Sequence, residues 1–219
     1  MPSLTREEKF ATTKLAILRS LIIRIETEPL ESISVKDICH DSNIATATFF
    51  LYFPHKTSIL DYFIQLWGVE ISWWMERYGR HLGPKEALAG MFDYAGLRAE
   101  QHPRMIAEVI SWMARRREET PTAPLTPAEL ALAFPGNEGI ESVTQRSLSS
   151  ILADLLKNAK LSGAIAEEVE IEPALLALIS ILFSTPPLVQ SMGAGRVRQW
   201  YTKQLAIIWA GLERQTNIS

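Results

Sequence analysis

Apolar side chains recur along nearly the whole chain at three- and four-residue intervals, and no stretch alternates as a half-buried strand does. From a cap at Thr5, the stripe Phe10, Leu15, Leu18, Ile22 and Ile25 predicts a helix to about Thr27, with Pro29 beyond its end. Ser34 then opens a short second helix, with Val35, Ile38 and Cys39 at i, i+3 and i+4. Asp41-Ser42-Asn43 reads as a turn, because Asn tolerates the left-handed conformation that ends a helix sharply. Ile44 resumes the apolar pattern, Thr46, Ala47 and Thr48 are small, and Phe49, Phe50, Tyr52 and Phe53 precede the breaker Pro54. Longer helices are expected over about 56–78, 85–100, 104–118, 141–160, 172–189 and 195–214, about nine helices in all. The span 120–139, with four prolines and two glycines, reads as a mobile loop in which TPAELALAF adds a turn or two of helix.

Two short helices joined by a tight turn, the second with small polar residues outward, form a helix-turn-helix. Its second helix can enter a DNA major groove with its first side chains at base edges. A helical hairpin that merely packs has the same spacing, so the pattern leaves both readings open.

The stretches SVKDIC, NIATATFFLYF and HK followed by SIL, in that order and spacing, resemble the DNA-binding segment of TetR/AcrR-type transcriptional regulators. The resemblance covers about residues 8–65; beyond that the chain is similar to the family only in length and helical character. It implies an all-α protein with an N-terminal three-helix head at 1–55 and a helical effector-binding and dimerisation domain at 56–219. It implies DNA roles for Thr46, Thr48, Tyr52 and Lys56, with Ser34 and Lys36 at the start of the preceding helix. Three positions depart from the family pattern: Asn43 where glycine is usual, Ala45 where a capping serine or threonine is usual, and Phe50 where tyrosine is usual. Ala45 cannot cap, so the cap shifts to Thr46 or is lost, at about 1 kcal/mol.

Charge tempers the DNA reading. The chain carries a net charge of −3, and residues 1–60 hold seven Lys or Arg against seven Asp or Glu, so no basic field draws the head to nucleic acid. Specific binding survives this, because hydroxyls, backbone N–H groups and helix N-termini also hold phosphates. At 219 residues, 47% hydrophobic and 21% charged, the composition is that of an ordinary globular protein with a sizeable core. Cys39 is the only cysteine, which excludes an intrachain disulfide or cysteine metal cluster, and its place on the inner helix face predicts a buried, inert thiol. The N-terminus has no signal-peptide apolar core and no apolar run reaches about 18 residues, so a cytoplasmic protein without membrane spans is expected.

The last two expected helices are apolar around much of their circumference. Leu175, Leu178, Ile179, Leu182 and Phe183 lie on one, and Val197, Trp200, Tyr201, Leu205, Ile208 and Trp209 on the other. Burial inside one subunit and burial between two both answer that pattern. The family resemblance favours a homodimer built on these helices and placing two heads on a palindromic site. The middle helices are rich in Trp, Met and Tyr, which fill a core or line an adaptable pocket. The resemblance implies a small effector there, and an apolar or aromatic one suits Trp73, Met91, Tyr94, Trp112 and Met113, with Arg98, His102, Glu108 and Gln145 as polar contacts. Arg115-Arg116-Arg117-Glu118-Glu119 reads as a solvated helix end.

Chemistry is sparse. The four histidines have no metal-ligand spacing, and there is no phosphate-binding glycine loop, nucleophile elbow or cysteine pair. No cofactor, metal or catalytic residue is assigned. The reading is a DNA-binding regulator, a repressor rather than an activator. Its competitors are a helical ligand-binding or scaffolding protein whose head has lost DNA, and an enzyme that would turn over its ligand.

Overall fold

A computed structural model describes residues 4–115, 123–193 and 195–214. Among them are ten α-helices, two single 3-10 turns and no strand. The chain divides into two compact units, one of residues 1–70 and 107–145, the other of 71–106 and 146–219.

The first unit opens with α1 (Arg6–Ile25). Thr5 and Glu8 close a capping box at its start, Thr5 N donating to Glu8 Oε2 at 2.7 Å and Glu8 N to Thr5 Oγ1 at 3.1 Å. Its apolar stripe buries Ala11, Leu15, Leu18 and Ile25, while Ile22 stays half-buried and Phe10 reaches outward. The same reciprocal cap, Ser34 with Asp37, starts α2 (Val35–Asp41). After the turn come α3 (Thr46–Tyr52) and α4 (Ser58–Arg77), of which residues up to Glu70 belong to this unit.

Of the span 120–139 expected as a loop, the described residues, 123–139, belong to the same compact unit as the head. The helix expected at 104–118 is α6 (Pro103–Arg115); residues 116–122, with the last two arginines and both glutamates of the charged run, lie outside the described residues. From α6, Glu108 accepts a hydrogen bond from Leu30 N at 3.2 Å and Arg115 pairs with Glu31 at 2.9 Å. The TPAELALAF stretch forms a tenth helix, α7 (Pro127–Ala133), started by a capping box between Thr126 and Glu129 and packed along α1. Lys14 Nζ meets Glu129 Oε1 at 2.8 Å; the two side chains are 14% and 1% exposed, and Lys14 also stands 4.2 Å from the centre of the Tyr62 ring. Burial and then the charge of Glu129 raise the pKa of the Tyr62 hydroxyl.

In the second unit α5 (Pro84–Gln101) packs on α10 (Val197–Arg214), which packs on α9 (Ile171–Met192), and α8 (Leu148–Leu161) closes against α5 and α9. Gly96 permits the α5–α10 approach: a Cβ there would stand 2.8 Å from Arg198 Cγ and 3.1 Å from Tyr201 Cδ2. The helix expected from 141 begins only at Leu148. Before it, residues 140–142 make a single 3-10 turn and Gln145 pairs with the backbone of Leu125 in both directions, at 3.0 and 2.7 Å. Ser147 then caps α8. Helix α9 has the length and apolarity of a membrane span, but it packs against α5, α8 and α10 and buries Ala174, Leu178 and Leu182.

Candidate nucleic-acid interface and ligand cleft

The turn between α2 and α3 is a Schellman closure. Asn43 takes φ 52°, its N–H donates to His40 O at 3.2 Å, and Ile44 N reaches back to Cys39 O at 3.0 Å. Asn43 thus does what a glycine would do, which is why the departure from glycine is tolerated. Arg24 of α1 locks α2 from outside: Nε donates to Asp41 Oδ2 at 2.6 Å and Nη2 to Oδ1 at 3.1 Å. That hydrogen-bonded guanidinium, above all, holds the Asp41 carboxyl down to about 2. Cys39 is buried, and desolvation raises its thiol pKa.

On α3, Phe49 points into the head with no exposure, and Phe53 just beyond it is buried as well. At 100° per residue the positions opposite Phe49 are Ala47 and Leu51, flanked by Thr48 and Phe50. Leu51 is 79% exposed and Phe50 53%. Ala45 precedes the helix with extended backbone and no side-chain cap, so the cap is lost rather than moved to Thr46.

The six residues assigned to DNA from the sequence all lie in the first unit, Lys56 just past the head's expected boundary at 55, and none is buried. Lys36 and Thr46 are exposed, and Thr48 is half-buried. Ser34 is exposed, but its hydroxyl is engaged in the cap with Asp37. Tyr52 rests its ring on Phe10, centroids 4.5 Å apart. Lys56 lies in the turn before α4, its Nζ donating to Leu30 O at 2.5 Å and Ile33 O at 2.6 Å. These two bonds fix the side chain and the loop between α1 and α2 together, and an ammonium has a third donor besides. The sequence pattern marks Ala47 only as small and does not single out Leu51; projecting α3 away from Phe49 puts both on its exposed face.

The nine residues assigned to a ligand are divided between the units. Trp73, Met91, Tyr94, Arg98 and His102 lie in the second and Glu108, Trp112, Met113 and Gln145 in the first. Met91 is fully buried, Trp73 is buried edge-on to Tyr78, and Tyr94 stacks on Trp74 at 6.1 Å. Gln145 is held by Leu125 as described. A separate open cleft of about 290 Å³ lies among α4, α5 and α8 in the second unit. Met75, Leu82, Ile151 and Leu155 line it together with the charged Glu76, Arg80, Arg146 and Asp154; Arg146 Nη2 donates to Asp154 Oδ2 at 2.5 Å.

Of the residues assigned to a dimer interface, Leu178, Leu182, Val197, Tyr201, Leu205 and Trp209 are buried within the chain's own fold. Leu175, Ile179, Phe183, Trp200 and Ile208 are half-buried. The apolar side chains that stand out from α9 and α10 are others: Leu176 (66% exposed), Leu188 (55%), Met192 (70%) and Ile207 (74%). Among the described residues no group of three His, Cys, Asp or Glu side chains comes together to hold a metal.

A chain that is all α-helical among its described residues, with a helix-turn-helix near its N-terminus, has the fold of the TetR-type transcriptional regulators, and solved structures of that kind match it over almost their full length. The fatty acid degradation regulator FadR of Bacillus halodurans superposes with a TM-score of 0.65 at 12% identity, covering 96% of this chain and 98% of that one. The TetR family regulator PfmR of Thermus thermophilus gives 0.58 at 20% identity, with 90% and 99% covered. FadR of Thermus thermophilus, a TetR family repressor in complex with lauroyl-CoA, gives 0.61 at 16%, with 94% and 98% covered. No protein-family sequence model and no curated protein sequence matches the chain.

Proposed function

We propose that this chain is a sequence-specific DNA-binding transcriptional regulator, a homodimeric repressor whose hold on a palindromic operator is modulated by a small, largely apolar ligand. The observation that carries the reading is α3: a short helix fixed by a Schellman turn and a buried Phe49, with its opposite face exposed. Such a helix suits the major groove, with Lys36, Thr46, Thr48, Tyr52 and Lys56 beside it for phosphates and base edges. The homodimer reading rests on the apolar side chains left open on α9 and α10, since a second copy would cover them and set two heads on one duplex.

The ligand reading draws on the lauroyl-CoA held by the Thermus FadR, whose fold this chain shares. The cleft of the second unit, with Met75, Leu82, Ile151 and Leu155 for a ligand's apolar part and two arginines and two carboxylates (Arg80, Arg146, Glu76 and Asp154) for its polar end, suits an amphipathic molecule. The ligand would act by binding one arrangement of the heads better than the other. A second reading, a helical ligand-binding or scaffolding protein that no longer holds DNA, is favoured by the neutral head and by the missing cap at Ala45.

Selection of bound duplexes from a random pool near physiological salt separates the two, because non-specific binding is weak there. The regulator predicts one enriched palindromic motif. It also predicts that exchanging the exposed Lys36 and Thr46 together for alanine weakens binding to that motif at least about tenfold. No enrichment from folded, dimeric protein, in the presence or absence of an acyl-CoA, sinks it in favour of the second reading.

A further inference from the structure

We infer that the operator half-site is read through thymine methyl groups, with Leu51 as the residue that sets this preference. This rests on the proposal that the head binds DNA, and it goes further by naming the chemistry of recognition. The side chains of α3 are Thr-Ala-Thr-Phe-Phe-Leu-Tyr. None is an arginine or lysine to grip guanine, an asparagine or glutamine to grip adenine, or a carboxylate to accept from cytosine. A threonine hydroxyl, as at Thr46 and Thr48, can bond to several base edges and discriminates weakly among them, and the Tyr52 ring lies against Phe10 at a 40° tilt.

What the helix presents at its outermost line is apolar. Ala47 and Leu51 lie one turn apart opposite the buried Phe49, and Phe50 widens the strip. Leu51 is 79% exposed, so a four-carbon side chain stands in water unless something apolar covers it. In a major groove the apolar feature at the base edges is the C5 methyl of thymine, and contact with it removes both from water. The head's balanced charge points the same way: with no excess of cations over residues 1–60 to multiply phosphate contacts, groove contacts carry more of the binding.

The test replaces thymines of the selected duplex, one position per half-site at a time, with deoxyuridine, which keeps every hydrogen-bonding group and removes only the methyl. Wild-type protein is expected to lose about fourfold in Kd for each methyl contact removed, at one or two positions and not at the others. Leu51→Ala, at a site too exposed to disturb folding, is expected to bind the thymine duplex more weakly and to show no loss at the position where the wild type does. The inference is overturned if every thymine-to-uridine exchange leaves wild-type affinity within twofold, if Leu51→Ala keeps the full methyl sensitivity, or if the selected half-site fixes no thymine. Those outcomes leave a sequence-specific DNA-binding protein standing. Failure of the folded dimer to enrich any duplex removes that reading and this one together.

Discussion

Pro186 has no N–H to give to Leu182 O one turn back, yet α9 runs through Pro186 and Pro187 to Met192. Tyr201 of α10 supplies the missing donor: its hydroxyl bonds to Leu182 O at 2.6 Å, with the residue 1% exposed, and burial drives its pKa up, so it stays protonated and able to donate. Next to it the buried Thr185 hydroxyl donates to Gln204 Oε1 at 2.8 Å, a second link between the same helices. Tyr201→Phe therefore leaves a buried carbonyl unpaired and is expected to destabilise the second unit by about 1–3 kcal/mol in urea denaturation at fixed protein concentration. Pro186→Ala restores a backbone donor to that carbonyl, so in the Tyr201→Phe background it should recover at least half of the loss. Additive effects of the two changes would show that the hydroxyl is not filling the proline's gap.

At the scale of elements, what local chemistry fixes was legible in the sequence and what distant partners fix was not. Thr5, Ser34 and Asn43 announce α1, α2 and the turn because caps and left-handed turns are built from side chains one to three positions away. The start of α8 was misplaced by seven residues because the apolar spacing runs on upstream, while the extended backbone before it is held by Gln145 pairing with Leu125, twenty positions earlier. The docking of α7 on α1 was equally hidden. It brings Lys14 to Glu129 across 115 positions, and neither residue carries a sequence mark of burial. In the candidate interface the six assigned residues fall in the first unit and none is buried, whereas the outward place of Leu51 shows only when α3 is projected away from the buried Phe49. The Lys14–Glu129 pair gives a direct test of how firmly α7 is held. Lys14→Met leaves a carboxylate 1% exposed without its cation and is expected to cost about 3–5 kcal/mol in the first unit. Adding Glu129→Gln removes the stranded charge and should return most of that. If Lys14→Met costs less than about 1 kcal/mol, α7 is not fastened to the head by this pair.

For the molecule as a whole the question is what covers α9 and α10. Six of the apolar residues that made these helices look like an interface are used inside the chain, so the pattern that suggested a partner is largely spent on the chain's own core. The remaining surface nonetheless carries four apolar side chains more than half exposed, Leu176, Leu188, Met192 and Ile207, and a groove lined by Pro173, Ala174, Ala177, Ile207 and Ile208, with Glu168 and Glu170 beside them, runs between the two helices. A second copy offers the same surface in return, which is what a two-fold contact requires. Ile207→Lys places a charge there without touching the fold, since the side chain is 74% exposed. It is expected to shift the species seen by light scattering from dimer to monomer while the helical circular dichroism stays unchanged. Because each head then meets its half-site alone, binding to the selected palindrome should fall by about a hundredfold or more, and binding to a single half-site should not change. A variant that stays dimeric places the subunit contact elsewhere. One that becomes monomeric yet binds the palindrome as tightly as the wild type would mean that the two heads do not act together on DNA.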